Sequence, residues 1–327
     1  GDPEYLFGRI IDGVLLPGGN IAVADLRLRT IRLYDSTGTF LRDLGRPGEG
    51  PGEFMSLRAV WAAGNTVAVF DQRIFRLTRF GVDGSVVEAR RIFPDGRRPN
   101  IPLGLYTNGD VALGWIKNLQ QSDPGPDSIG FGRFDEEGAL TSVIGSGLGS
   151  RRDENGTVPF SPTWHGAIYQ DSVFFTDGMK AGISVWSPAG ELSRTIPLPD
   201  ARLDPAAAWS AVRVELVARG NQENLQKFDE RPRPDALPDI ARMFIDPEGL
   251  IWVKRYDPLT DANVIGRFLS WTGGDWWVLD RDGVHLAIVQ MPPEFMPLHA
   301  KGDRVLGFFR DELGVERIQV FRLRRVS

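Results

Sequence analysis

The chain contains no cysteine, which excludes disulfide frameworks, thiolate metal sites and cysteine nucleophiles. Its only imidazoles are His165, His285 and His299, too few for a histidine-rich metal centre. No apolar run is long enough to span a bilayer as a helix, so direct membrane insertion is not expected. A basic excess is missing as well. With 38 Lys and Arg against 43 Asp and Glu, the net charge of -5 supplies no cations to displace counterions, and nucleic acid is not an expected partner.

What remains is the composition of a folded β protein, with 42% hydrophobic and 25% charged residues. The chain starts at Gly1 without a methionine, which reads as the loss of a leader. With a cysteine-free, tryptophan-rich composition, the expected location is extracytoplasmic, periplasmic or secreted.

Short runs of Ile, Val, Leu and aromatics alternate with glycine turns from residue 9 onward, the pattern of an antiparallel meander. One turn recurs six times, as Gly18-Gly19, Gly64-Asn65, Asn108-Gly109, Gln170-Asp171, Glu248-Gly249 and Gly302-Asp303. Another recurs five times, as Thr37-Gly38, Asp83-Gly84, Glu137-Gly138, Ala189-Gly190 and Asp282-Gly283. Gly19 and Gly64 are 45 residues apart, the length of a four-stranded propeller blade. The expected fold is all-β: one six-bladed β-propeller domain over 1–327 with four-stranded antiparallel blades. The sixth unit runs out one strand short. Residues 5–9 are the expected donor, an N-terminal strand closing the last blade.

The connections are unequal. Both recurring turns are short, whereas 45–54, 115–129, 145–159, 197–239 and 254–275 are long and fall on one face of the disc. The largest is a helical insertion at about 204–239, between blades 4 and 5. Asp204-Pro205 marks a helix start, and Trp209, Val212 and Leu216 share one helical face, which suits cover for an apolar patch. The same helix could instead act as a lid or dock a partner.

With the repeat in place, three stretches resemble the bacterial six-bladed β-propellers of the NHL and TolB-like groups. They are Leu44-Gly45-Arg46-Pro47-Gly48-Glu49-Gly50-Pro51-Gly52-Glu53-Phe54, Ile245-Asp246-Pro247-Glu248-Gly249-Leu250-Ile251-Trp252-Val253 and Asp311-Glu312-Leu313-Gly314-Val315-Glu316-Arg317-Ile318. The resemblance implies an architecture and leaves activity open, because that group includes sensors and binding scaffolds.

Asp25, Asp71 and Asp177 each follow a second strand and could ring the axis as cation ligands. The simpler expectation is that each accepts backbone hydrogen bonds in its own turn. Gluconolactonase-like enzymes share the six-bladed form and hold a divalent metal at the axis. Glu53, Asn108 and Asp177 are the right residue types for that, although their spacing does not make them converge. No Ser-His-Asp order is persuasive, since Trp164-His165-Gly166 serves no nucleophile elbow.

The favoured reading is a non-catalytic recognition or scaffolding module that binds protein partners through its long-loop face, with a membrane-associated complex as one setting. Its candidate binding residues are Trp115, Arg151, Arg152, His165, Trp209, Arg231, Arg233 and Trp271. No cofactor is expected under that reading. A divalent cation belongs to the alternative, a metal-dependent hydrolase or lactonase with an axial site. A carbohydrate binder using the loop tryptophans is the third reading.

Overall fold

The computed structural model describes every residue except 1, 94, 118–125, 154–155, 180–181, 199–202, 221, 265–266, 269–271, 312 and 325–327. Its six main sheets follow the chain in order, each a meander of antiparallel neighbours. Blade 1 comprises Ile10–Leu15, Ile21–Asp25, Thr30–Tyr34 and Phe40–Leu44, counted from the axis outward. The innermost strands of blades 2 to 6 are Leu57–Ala63, Ile101–Leu105, His165–Tyr169, Ile240–Ile245 and Phe295–Lys301.

Ring closure can be read from the core. Six apolar clusters each join two sequential blades, and one of them packs Met296, Leu306 and Phe308 of blade 6 on Ile10, Val23 and Tyr34 of blade 1. An open row of six blades would have only five such interfaces. Strands between two packed neighbours are buried on both faces, so Ile21–Asp25 and Thr30–Tyr34 are buried throughout. Outermost strands have only one packed side and carry the exposed Leu41, Val87, Leu192 and Ile288.

The expected turns hold, with positive φ at Gly19, Gly38, Gly84, Gly109, Gly138, Gly190, Gly249, Gly283 and Gly302. A neighbouring carboxylate fixes several of them. Asp35 Oδ1 accepts from Thr37 N and Thr39 N at 2.8 and 2.9 Å, and Asp280 Oδ1 accepts from Asp282 N and Val284 N at 2.9 and 2.8 Å. The first crossover is pinned by Phe54, fully buried and 5.9 Å from the Phe80 ring centroid. Gly45 lies directly beneath that ring at φ 75°, where no side chain would fit.

Two expectations need correction. Residues 145–153 are not a loop but the end of a 14-residue strand, Leu140–Asp153, which pairs onward with Gly156–Thr157. Gly145, Gly147 and Gly149 sit on one face of it, where Phe131, Phe175 and Asp127 take the space a side chain would fill. The N-terminal segment also departs from a paired strand. Pro3–Tyr5 is a 3-10 turn, and the sixth sheet contains three strands, Phe295–Lys301, Arg304–Arg310 and Glu316–Arg322. Blade 1 takes up the segment's backbone groups instead. Arg32 donates to Pro3 O at 2.9 Å, Tyr34 Oη donates to Glu4 O at 2.8 Å, and Gly8 N donates to the Asp25 carboxylate at 2.7 Å.

The helical insertion comprises α1 (Pro205–Ala218) and α2 (Gln222–Asp229), with α3 (Pro258–Asp261) beside them. Asp204 caps α1 by accepting from Ala206 N at 3.0 Å. Trp209, Val212 and Leu216 form the buried face that their spacing predicts, packed with Phe160, Phe228, Ala241 and Tyr256 over blades 4 and 5. The crossovers, the extended hairpin of blade 3 and all three helices share one face of the disc, and the short turns occupy the other.

Candidate functional site

The carboxylates that follow the second strands are structural. Asp71 is fully buried and accepts four backbone N–H groups: Met55 and Ser56 on Oδ2 at 2.6 and 2.8 Å, Arg73 and Ile74 on Oδ1 at 2.8 and 3.2 Å. Asp25 repeats the arrangement with Gly8, Arg9, Arg27 and Leu28 at 2.7 to 3.2 Å. Asp177 is the weaker copy, accepting from Met179 N at 3.1 Å and Leu148 N at 3.4 Å. Each carboxylate therefore stitches its own turn to the preceding chain; Asp25 and Asp71 use four acceptances to do so and Asp177 two.

The inner strands enclose an axial cavity of about 560 Å³, lined by residues from all six blades. Its walls are mainly backbone and aliphatic groups, with Asp12, Arg58, Tyr169, Asp246, His299 and Lys301 among the polar side chains. Burial pushes the Asp12 carboxyl up to about 6, against the opposing effects of N–H donors Val60 and Gly13 and the nearby Arg58 charge. The two donors lie 2.8 and 2.9 Å from its oxygens. Burial likewise lowers Arg58, whose Nε donates to Asn100 O at 3.3 Å. His299 is pushed down to about 4 by burial and by Lys301, so it is neutral and accepts from Leu15 N through Nδ1.

A second polar group lies toward the long-loop side, under α3. Lys254 and Asp261 form a 2.6 Å ion pair, their side chains only 6% and 13% exposed. Asp261 also supports Arg242, which burial lowers. His165, at the start of the blade 4 inner strand, holds its Nε2 2.6 Å from Ala241 O. Burial, assisted by the Arg242 charge, pushes this imidazole down to about 3, so it is a neutral donor to that carbonyl.

Several candidate binding residues gather over blades 4 and 5. Arg231 donates to Thr157 O at 3.4 Å, Arg233 lies over Trp209 at 5.8 Å, and Arg151 pairs its backbone with Val158 and Ser161. Burial alters what they can do. Trp209 is 4% exposed, stacked on Phe228 at 4.1 Å, and Arg231 is 4% exposed. Trp115 is 4% exposed and belongs to a strand of blade 3, Val111–Ile116, with Arg97 5.0 Å over its ring. These three are interior residues, because their neighbours supply apolar or carbonyl partners that loop tips lack. Arg152 and Arg233 are exposed, with Arg152 3.7 Å from Asp127. Trp271 lies outside the described residues.

Glu53, Asn108 and Asp177 do not come together. Glu53 bridges Arg46 at 2.8 Å and caps Gly50 N within the first crossover, Asn108 accepts from Asp110 N in a short turn on the opposite face, and Asp177 holds its own turn. Among the described residues, no three His, Asp or Glu side chains are placed to share a metal ion. Sequence reasoning missed Asp12, Arg58 and the Lys254–Asp261 pair. Asp12 did leave a signal, a carboxylate inside the apolar run Ile10-Ile11-Asp12-Gly13-Val14.

No family model matches the chain, and no curated protein does either. Solved structures do resemble it. A member of the DUF4221 family from Bacteroides vulgatus is 11% identical with a TM-score of 0.54, covering 98% of this chain and 94% of that one. A protein of Bacteroides fragilis described as exported is 12% identical with a TM-score of 0.52, covering 99% and 93%. Virginiamycin B lyase from Staphylococcus aureus aligns over 98% and 88% at 10% identity, with a TM-score of 0.45. At such identities the likeness concerns backbone architecture alone, and what it shares with the geometry above is the six-bladed β-propeller fold.

Proposed function

We propose that the protein is a recognition propeller that binds a protein partner through its long-loop face, outside the cytoplasm and as part of a larger assembly. One observation carries the reading. Helix α1 is fixed to the disc by Trp209, Val212 and Leu216, yet its opposite side presents Val214 and Val217, 69% and 52% exposed. A helix needed only as cover would gain nothing from apolar residues facing water, and a rigidly seated apolar helix face is a usual partner anchor. Arg152 and Arg233 are further exposed cations on the long-loop face. The test is affinity capture with Val214→Asp plus Val217→Asp, compared with Asn108→Arg on the short-turn face. Loss of partners only in the helix variant is expected; loss only in the short-turn variant overturns the assignment.

A second reading, hydrolysis in the axial cavity, is favoured by Asp12. A carboxyl pushed up to about 6 in an enclosed space is suited to general acid–base work. Hydrolysis of a lactone or ester panel that disappears in Asp12→Asn, with a stoichiometric divalent ion in protein purified without chelator, would favour it over the recognition role.

A further inference from the structure

We propose that the axial cavity binds a small organic carboxylate: the Arg58 guanidinium holds the carboxylate at the long-loop end, and the hydrocarbon body of the ligand lies against the apolar walls. The proposal needs neither a partner on the long-loop face nor hydrolysis at Asp12.

The cavity has the size and lining of a small-molecule site. Its volume of about 560 Å³ is within the range of ligand pockets. Ile11, Trp61, Leu105, Ile168, Ile245 and Leu298, one from each blade, line it, and none of them is fully buried.

Arg58 stands near the start of the blade 2 inner strand, at the end of the axis nearest the crossovers. It is surrounded by protein yet open to the solvent of the cavity. Its Nε is taken by Asn100 O, whereas among the described residues Nη1 and Nη2 have no hydrogen-bond or ion-pair partner. An enclosed guanidinium with two unused donor groups suits bidentate capture of a carboxylate.

Charge at this end favours an anion. Arg9 adds a second positive charge close enough to oppose that of Arg58, and it too has no ion-pair partner among the described residues. Asp12 is the one carboxylate acting on Arg58, and its oxygens already accept from Val60 N and Gly13 N. Two guanidiniums against one carboxylate leave this end positive even with Asp12 ionised, and an ammonium ligand would be repelled. The other polar groups lie toward the short-turn end and are engaged with protein partners. Lys301 donates to Leu16 O at 3.3 Å, Tyr169 Oη to Glu248 O at 3.4 Å, and His299 Nδ1 accepts from Leu15 N at 3.4 Å. Asp246 accepts from Trp252 Nε1 at 2.9 Å and Leu250 N at 2.8 Å.

The probe is benzoate, with benzamide as its uncharged counterpart and benzylammonium as the cationic one. Isothermal titration of the full chain reads affinity and stoichiometry, and unfolding midpoints check that the variants are folded. Benzoate is expected to bind at a single site, and both counterparts at least about tenfold more weakly. Arg58→Gln should weaken benzoate by about ten- to a hundredfold, the effect of losing hydrogen bonds to a charged group, and leave benzamide unchanged. Arg91→Gln, which removes an exposed cation from the outermost strand of blade 2, should change nothing. Proton linkage then places the ligand beside Asp12. Wild-type affinity for benzoate should rise as pH falls from about 8 to about 5.5, because an anion favours the protonated carboxyl, and most of that rise should be absent from Asp12→Asn. His299, at about 4, stays neutral throughout, and any contribution from Asp246 survives in Asp12→Asn. Benzoate has no ester or lactone bond, so its binding and hydrolysis in the cavity fail separately. Equal binding of benzamide, undiminished benzoate binding by Arg58→Gln, or a full pH dependence in Asp12→Asn overturns the proposal. So does the absence of benzoate binding by the wild type.

Discussion

Replacing Asp71 by Asn tests whether the carboxylates near the axis are backbone clamps. The wild-type side chain accepts four N–H groups, two on each oxygen, in a fully buried position. An asparagine retains one acceptor oxygen, and its amide nitrogen must face the other two donors. Whichever way it turns, two buried N–H groups lose their acceptor. At about 1–3 kcal/mol for each unsatisfied buried donor, the loss is about 2–6 kcal/mol. Asp25→Asn should cost about half as much, because three of its four donors share Oδ1 and only Gly8 N is on Oδ2, and Asp177→Asn no more than that, because it has only two bonds, of 3.1 and 3.4 Å. Urea unfolding followed by tryptophan fluorescence gives the three values on one scale. A loss below about 1 kcal/mol for Asp71→Asn would refute the reasoning. Calcium-dependent stability that Asp71→Asn abolished would also refute it, since that marks a cation site.

Other expectations follow from particular contacts. Phe54→Ala empties a fully buried site between blades 1 and 2 and should cost about 3–5 kcal/mol in the same assay. His165 titrates near 3 in the fold against an ordinary 6.5, so the unfolded chain binds the proton first. Its contribution is complete above pH 6.5 and is lost on acidification towards 3; His165→Gln should flatten that limb of the stability profile. Asp12 has the opposite sign. With a folded value of about 6 against 3.8, it makes the protein less stable as pH rises through that window, and Asp12→Asn should remove the fall.

The architecture was legible because turns are local. A glycine at positive φ, often beside a capping Asp, recurs in blade after blade whatever the length of the connections between, so counting turns counts blades. The helix face of Trp209, Val212 and Leu216 was legible for a similar reason, since it follows from spacing. Residues 145–153 misled because alternating glycines read as loop, when here they make room for Phe131 and Phe175. The N-terminal segment misled because its fate depends on Arg32, Tyr34 and Asp25, far along the chain. Trp115, Trp209 and Arg231 looked available because position in a loop or at a strand end says nothing about what folds over it. The Lys254–Asp261 pair left no trace, as only the tertiary fold shows that both are buried.

The most direct test of the recognition role is parallel capture from a lysate of the source organism with three immobilised proteins: wild type, Val214→Asp plus Val217→Asp, and Asn108→Arg. The variants differ in which face they alter, and both leave the core untouched. The recognition account predicts a partner retained by wild type and by Asn108→Arg and lost from the α1 variant, with unfolding midpoints unchanged. Retention by the α1 variant together with loss from Asn108→Arg would contradict it.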